Sequence, residues 1–192
     1  MIDFEEPAEP AVEFAAALIS IKQSGIRDEL VITQLAAPQD IATHAIAFSA
    51  ELKSATSEVS GKLGTGRFVL FWSPKPQENW TSNFRVVCFA RSPLESDIGR
   101  ESDGVDVTWD WLTSALNNSG AEHSALAGTT TRIISTGHGL MDTQSDHAEI
   151  EIRASWSPTG TDIGKHLEAW QNLVCVMSGY QIAPGVQNIN FG

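Results

Sequence analysis

The side chain in this sequence best suited to holding a ligand is arginine, because a planar guanidinium grips a carboxylate or a phosphate through two parallel hydrogen bonds. Five of the seven arginines lie on or beside predicted strands, whereas none of the five lysines does. These arginines either pair with neighbours such as Glu149 and Glu151 or grip an anion or an acidic protein segment. The five are Arg67, Arg85, Arg91, Arg132 and Arg153, of which Arg85, Arg91 and Arg153 are our candidate contact residues.

A second cluster has the donor atoms of a metal site and lies between two predicted strands. His138, Asp142, Asp146 and His147 fall within ten residues, and imidazole and carboxylate ligands suit a divalent cation. Their spacing is irregular, however, and the glycines, serine and glutamine among them are typical of a solvated loop. We therefore predict neither a metal here nor a cofactor elsewhere in the chain.

His166 is the one weak candidate for a catalytic residue. It lies one helical turn before Trp170, at the edge of an apolar stripe, where it serves either as a hydrogen-bonded structural residue or as a proton-transfer group. The sequence contains no GxSxG or HExxH motif, and its glycine-rich stretch GKLGTG leads into a strand, whereas phosphate-binding loops lead into a helix. No nucleophile or acid–base constellation is therefore evident.

Two of the six tryptophans are candidates for a contact surface. Trp80 lies in a polar loop, and Trp111 lies off the apolar stripe of its predicted helix. The others fall on apolar faces and are expected in the core, with the last two in contact: Trp72, Trp109, Trp156 and Trp170.

The clearest signal for secondary structure is a change of periodicity near the end of the chain. Apolar residues recur at every second position from Ile150 to Trp156, and then at helical spacing from Ile163 to Met177. Gly179 is placed to end the helix. The pattern predicts a strand followed directly by a helix.

The same reasoning assigns the earlier elements. We predict a helix between Pro10 and Gly25, a short strand from Leu30 to Leu35, and a second helix over residues 41–52. That second helix is expected to carry Ile41, Ala45, Phe48 and Leu52. Two strand pairs and another helix follow: strands RFVLFWSP and NFRVVCFAR, a helix over residues 103–118, and strands GTTTRIISTG and EIEIRASW.

This order of elements predicts an α+β fold, with an antiparallel sheet of four to five strands and helices packed mainly on one face. We expect a single domain over residues 10–183. Residues 1–9 are expected to form a mobile acidic tail, and residues 184–192 a C-terminal tail.

Composition excludes several classes of function. The net charge of −12 disfavours duplex nucleic acid as a partner and argues against an RNA-associated role. No apolar run reaches the roughly 20 residues that span a bilayer, and the acidic start MIDFEEPAEP is unlike a signal peptide. We therefore expect a cytoplasmic protein without a membrane partner. Cys88 and Cys175 lie in apolar contexts and are expected to be buried free thiols.

Four segments together resemble a known family: FRVVCFAR, VTWDWLTSAL, EIEIRASWSP and HLEAWQNLVC. They are similar to an uncharacterised actinobacterial family, the domain of unknown function three thousand. The similarity runs from about Phe14 to Gly185, and its most specific blocks are WDWL and the stretch from RASW to HLEAW. The resemblance implies a bacterial, cytoplasmic, single-domain protein, and it carries over no activity, cofactor or catalytic residue.

The function we expect is that of a non-enzymatic interaction or regulatory module with an unknown protein partner. The alternative is a binder of a small anionic ligand, or an enzyme acting on one, in which the strand arginines hold the ligand and His166 moves a proton. The two differ in geometry. Arginines that converge unpaired on a pocket favour the alternative, and arginines paired with Glu149 and Glu151 favour the interaction module.

Overall fold

Six antiparallel strands and three helices make up the architecture of the computed structural model, which describes residues 2–53, 64–94, 104–138 and 147–181. The α+β class is thereby confirmed, with six strands in place of the four to five expected. In chain order the elements are α1 (Val12–Gln23), β1 (Leu30–Leu35), β2 (His44–Leu52), β3 (Thr65–Trp72), β4 (Phe84–Leu94), α2 (Gly104–Asn118), β5 (His123–Ser135), β6 (His147–Pro158) and α3 (Ile163–Met177).

The strands lie in the spatial order β1-β2-β3-β4-β6-β5, and every neighbouring pair is antiparallel. The first four strands follow one another as a meander. After α2 the chain returns at the far edge as β5, and β6 then fills the gap between β5 and β4. The two strand pairs expected from the sequence, β3 with β4 and β5 with β6, are both present.

The helix predicted over residues 41–52 is wrong, because most of that segment forms β2. Its buried residues on the side that packs into the core recur with a period of two, which is that of a strand: Ile46, Phe48, Ala50 and Leu52. Ala47 on the other side is buried as well. Ile41, which the helical interpretation required to be buried, is exposed. Pairing with β1 on one side and β3 on the other outweighs the helix propensity of the alanines.

All three helices pack on one side of the sheet, which we call the helix face. α3 lies across β2, β3, β4 and β6, and α1 and α2 flank it. Close approach of α3 requires a gap in the sheet surface at Gly66, where an added Cβ would lie 2.9 Å from the Trp170 indole and 2.7 Å from Val174. The large buried side chains of this face include Ile46, Phe48, Phe68, Leu70, Val86, Ile152 and Trp156.

Trp156 and Trp170 are both fully buried, as expected, but each has its own partner. The Trp170 ring lies 5.6 Å from that of Phe68, and its Nε1 donates to the carbonyl of Phe89. Trp156 donates to His166. The two indoles thus join α3 to β3, β4 and β6.

The N-terminal residues differ from the expected tail. They form no helix or strand, but Ile2 and Phe4 are buried in the core, and the Phe4 ring lies edge-on to Phe48 at 5.4 Å. The backbone of Glu5 is held by two hydrogen bonds with the side chain of Gln34. Residues 2–5 therefore belong to the packed body, while the predicted tail at 184–192 lies outside the described residues.

The helices in the described ranges are too short to cross a bilayer. The longest have 15 residues, whereas a span needs about 20. None of them combines the length and the apolar composition of a membrane span.

Candidate functional site

The sheet face opposite the helices gathers the strand arginines, because alternate residues of a strand point to opposite faces. Arg85 and Arg91 share this face of β4, and Arg153 shares it on β6 with Glu149 and Glu151, as the sequence predicted. Arg132 is on the helix face of β5, level with the buried Ile150. We call the open side the arginine face; its charged strand residues are Glu51, Arg67, Arg85, Arg91, Glu149, Glu151 and Arg153.

The centre of the arginine face is a row of three registered residues, Arg67 of β3, Phe89 of β4 and Arg153 of β6. The Arg153 guanidinium lies over the Phe89 ring, 5.4 Å from its centroid. Because neighbouring strands are about 4.8 Å apart, the two arginine Cα atoms are separated by about 10 Å, with the aromatic ring between them. Phe89 and Arg67 were not among our candidates, because only the register of three strands brings them together.

Two of the predicted contact arginines are engaged in ion pairs. Arg91 binds Glu149 of the neighbouring strand, and Arg153 Nε binds Glu151 Oε1 at 2.7 Å. The Arg153 guanidinium is largely exposed, so its pair contributes only about 0–1 kcal/mol to stability, whereas Glu149 in the other pair is buried. Arg91 and Arg153 therefore pair with the neighbouring glutamates, which is one of the two roles that the sequence allowed for the strand arginines.

Arg85 is held by neutral oxygen atoms. Its Nη2 donates to Ser155 Oγ at 2.6 Å, and its Nη1 donates to the carbonyl of Ala125 at 3.2 Å. Burial lowers the pKa of Arg85, and within the described ranges no carboxylate lies at ion-pair distance from it. Arg85 therefore adds positive charge to one end of the face without local compensation.

Arg67 is exposed, and among the described residues it forms no ion pair. It borders a shallow depression of about 600 Å³ on the arginine face. The residues that line this depression include Glu51, Arg67, Val87, Phe89, Arg91 and Arg153.

The charged strand residues of the arginine face have a net positive charge, whereas the whole chain has a net negative charge. The strands place four arginines and three glutamates on it, whereas the chain carries a net charge of −12. The arginine face therefore attracts an anionic group more strongly than the average surface of this protein does.

Trp80 and Trp111 lie on opposite sides of the sheet. Trp80, in the loop before β4, is half-buried with its ring 6.3 Å from that of Phe71, which belongs to the arginine face level with Arg85. Trp111 is half-buried between α2 and α3, where it borders a cavity of about 20 Å³ with Leu173. The structure brings Trp80 together with the arginines and leaves Trp111 among the helices.

His166 is only 2% exposed and has a structural partner. Its Nδ1 accepts a hydrogen bond from Trp156 Nε1 at 3.0 Å, which leaves the ring proton on Nε2. Burial, aided by the charge of nearby His123, lowers the pKa of His166 to about 4, so the ring is neutral at pH 7. Since His166 packs on the helix face, it cannot move a proton for a ligand held by Arg153 on the opposite face.

The remaining chemical groups offer no site among the described residues. In the loop for which we predicted no metal, His138 is exposed, Asp142 and Asp146 lie outside the described ranges, and His147 begins β6. Within those ranges, no group of three or more histidine, cysteine or acidic residues is arranged to hold a metal. Cys88 and Cys175 are buried free thiols, as predicted, and burial raises their pKa to about 12 and about 11 respectively.

Comparison with known proteins gives one result. No curated protein and no solved structure matches the chain. A family model described as "Protein of unknown function (DUF3000)" matches residues 10–187, which is most of the chain, and the chain therefore belongs to that family.

Proposed function

We propose that this protein is a non-enzymatic interaction module whose arginine face docks an acidic segment of another protein. The observation that carries the proposal is the row of Arg67, Phe89 and Arg153 on a sheet face that none of the three described helices covers. A protein segment with carboxylates on either side of an apolar side chain complements this row in both charge and polarity.

The spacing of the row favours a helical segment. A helix presents residues i and i+7 about 10 Å apart on one side, with i+3 or i+4 between them. An amphipathic helix with acidic residues at i and i+7 and an apolar residue at i+4 would meet Arg67, Phe89 and Arg153 in order. Arg85 and Trp80 would extend the contact at one end of the face.

The cytoplasm is the compartment that suits the proposal. Cys88 and Cys175 are free thiols, and proteins of oxidising compartments tend to use their cysteines in disulfides. The large negative charge of the chain keeps it dispersed while leaving one positive face for a partner.

A small anionic ligand in the depression on the arginine face is the alternative. Arg67 favours it, because its guanidinium forms no ion pair with the described residues, whereas the ion pairs of Arg91 and Arg153 with glutamates favour the protein segment. An enzymatic version of the alternative loses its one candidate imidazole, because His166 lies on the other face of the sheet.

Synthetic peptides test the proposal directly. We would titrate the protein with a helical peptide that has Glu at i and i+7 and Leu at i+4, and with a peptide of the same composition in scrambled order. Citrate and inorganic phosphate would be titrated in parallel. We expect the patterned peptide to bind at least tenfold more tightly than the scrambled one, with an affinity that falls as salt concentration rises.

Charge reversal on the face supplies the matched control. The double variant Arg67→Glu/Arg153→Glu should abolish binding of the patterned peptide. The double variant Lys75→Glu/Lys165→Glu changes the net charge by the same amount at sites outside the strands. It should keep most of the binding of the patterned peptide. Equal losses in the two double variants, or equal binding of the two peptides, would overturn the proposal, and binding of citrate or phosphate alone would favour the small-anion alternative.

A further inference from the structure

The two edges of the sheet are unequal. β1 forms one edge and has only six residues, whereas β5 forms the other and has thirteen. β5 pairs with β6 on its inner side, and none of the described residues pairs with its outer side. No residue of β5 is buried. Alternate residues of this strand therefore offer backbone N–H and C=O groups to a further strand.

From Ala127 to Ser135, β5 has few of the features that usually protect an edge strand. It contains neither proline nor lysine, and Arg132 is its one charged residue besides the titratable His123. A bulge interrupts the register between Ser124 and Ala127, but pairing with β6 is regular from Ala127 to Ser135. The run TTTRII within this stretch is rich in β-branched residues, which favour strand pairing.

We infer that two copies of this chain associate through antiparallel pairing of their β5 strands, which joins their sheets into one continuous sheet. The chain is strongly acidic, yet β5 contains no acidic residue, so this edge is a place where two copies meet without opposing carboxylates. An antiparallel pair of identical strands is self-complementary, as a two-fold symmetric dimer requires.

The register follows from centring the symmetry axis on Thr131, the middle of the regular stretch. Thr131 then faces its own copy, and Arg132 faces Thr130, which keeps the two arginines from lying directly opposite each other. In the same register Ile134 faces Gly128.

The pairing of Ile134 with Gly128 gives an exposed side chain a partner. Ile134 is among the large apolar side chains that are exposed, and Gly128 lies on the same, helix-facing side of β5. Gly128 has no room for a side chain of its own, because a Cβ there would overlap the Arg153 carbonyl oxygen and lie 2.9 Å from the Trp109 ring. The incoming Ile134 would pack beside Gly128 against the half-buried Trp109 indole, once on each side of the axis.

Sedimentation of the full chain tests whether it dimerises. We expect a species of twice the 20.7 kDa chain mass, with a dissociation constant that rises at least tenfold in Ile134→Lys. Ile19→Lys is the matched control, because Ile19 on α1 and Ile134 are both 55% exposed. A monomeric wild-type protein at all accessible concentrations, or equal weakening by the two lysines, would overturn the inference.

Cysteine crosslinking tests the register. Thr131→Cys places a thiol opposite its own copy at the symmetry axis, where mild oxidation should join the two chains, because Cβ atoms of directly opposed residues are about 5 Å apart. Thr33→Cys on the other edge strand is the control and should crosslink much more slowly. The native thiols Cys88 and Cys175 are buried and do not compete. Equal crosslinking of the two variants would rule out pairing through β5.

Discussion

At the scale of single residues, the burial of His166 makes the stability of the fold depend on pH. The imidazole takes up a proton near pH 6.5 in the unfolded chain but only near pH 4 in the folded one. Between these values the unfolded state binds more protons, so acidification favours unfolding. The stabilising contribution is complete above pH 6.5 and is lost as the pH falls through about 4.

We therefore expect acid to destabilise the wild-type protein more than the variant His166→Asn. Asparagine keeps an oxygen acceptor for the Trp156 N–H near the position of Nδ1 and removes the titrating group. From neutral pH to pH 4, the free energy of unfolding of the wild type should fall by roughly 3 kcal/mol more than that of the variant. Urea denaturation at a series of pH values measures the difference, and parallel profiles would show that His166 does not titrate as its burial requires.

Gly66 and Trp170 are a second pair of residues whose contact affects stability. Because Gly66 has no side chain, the Trp170 indole can pack directly against β3. Gly66→Ala should lower the free energy of unfolding by roughly 1–3 kcal/mol, since the new methyl group overlaps Trp170 and Val174. Trp170→Ala should cost roughly 3–5 kcal/mol. Arg67→Ala, the next residue on the opposite face, should stay within about 0.5 kcal/mol of the wild type.

The cost of Gly66→Ala should also shrink when Trp170 has already been shortened to alanine, because the overlapping ring is gone. Chemical denaturation of the two single variants and the double variant measures this coupling. Additive costs would mean that Gly66 and Trp170 do not share the same space.

At the scale of the elements, α1 and α3 approach each other at Gly164. A Cβ on Gly164 would lie 2.6 Å from the carbonyl oxygen of Ser20, and the Gly164 N–H donates to Ser20 Oγ at 2.6 Å. In an isolated helix, replacing glycine by alanine is favourable by about 1 kcal/mol. Packing against α1 opposes that preference, so the sign of the effect distinguishes helix propensity from tertiary contact.

We expect Gly164→Ala to destabilise the protein by roughly 1–3 kcal/mol. Lys165→Ala is the control, because it changes the next residue of the same helical turn at an exposed position. Thermal and chemical unfolding of both variants gives the comparison. A stabilised Gly164→Ala protein would mean that α1 moves aside at little cost.

The elements also show how far local sequence patterns reach. Eight of the nine elements have apolar periods that are long enough, or turn signals clear enough, to be assigned, and β1 and α3 are examples. β2 was assigned wrongly, because its alanines and its apolar residues at helical spacing, such as Ala45 and Phe48, also fit a helix. Its partners β1 and β3 decide its conformation, and no local window contains both.

In the candidate site, too, local sequence patterns predicted some features, whereas others depend on strands that are far apart in the sequence. Strand alternation correctly placed Arg85 and Arg91 on one face, and Arg153 on one face with its glutamates. The row that joins Arg67, Phe89 and Arg153 depends on the register of β3, β4 and β6, and the insertion of β6 between β4 and β5 follows from packing and not from any motif. Sequence patterns therefore predicted which residues lie on the arginine face. They did not predict which of these residues are adjacent across the strands.

At the scale of the whole molecule, the two terminal helices are bound together by residues far apart in the chain. Besides the contact of Ser20 with Gly164, the side chain of Gln171 bonds to the carbonyl of Gly25, and Arg27 bonds to Asn172. These bonds span about 145 residues of sequence. α3 also contacts β2, β3 and β4, and the hydrogen bond from Trp170 to the carbonyl of Phe89 joins residues 81 positions apart.

During translation, the ribosome therefore releases the meander β1–β4 well before the helix that covers it. The 83 residues between the end of β4 and the end of α3 take roughly 4–17 s to synthesise. Throughout that interval the apolar side chains of the helix face, among them Phe48, Phe68 and Leu70, have no cover from α3. Nascent chains arrested after β4 should therefore bind general chaperones, and chains extended past α3 on the ribosome should release them.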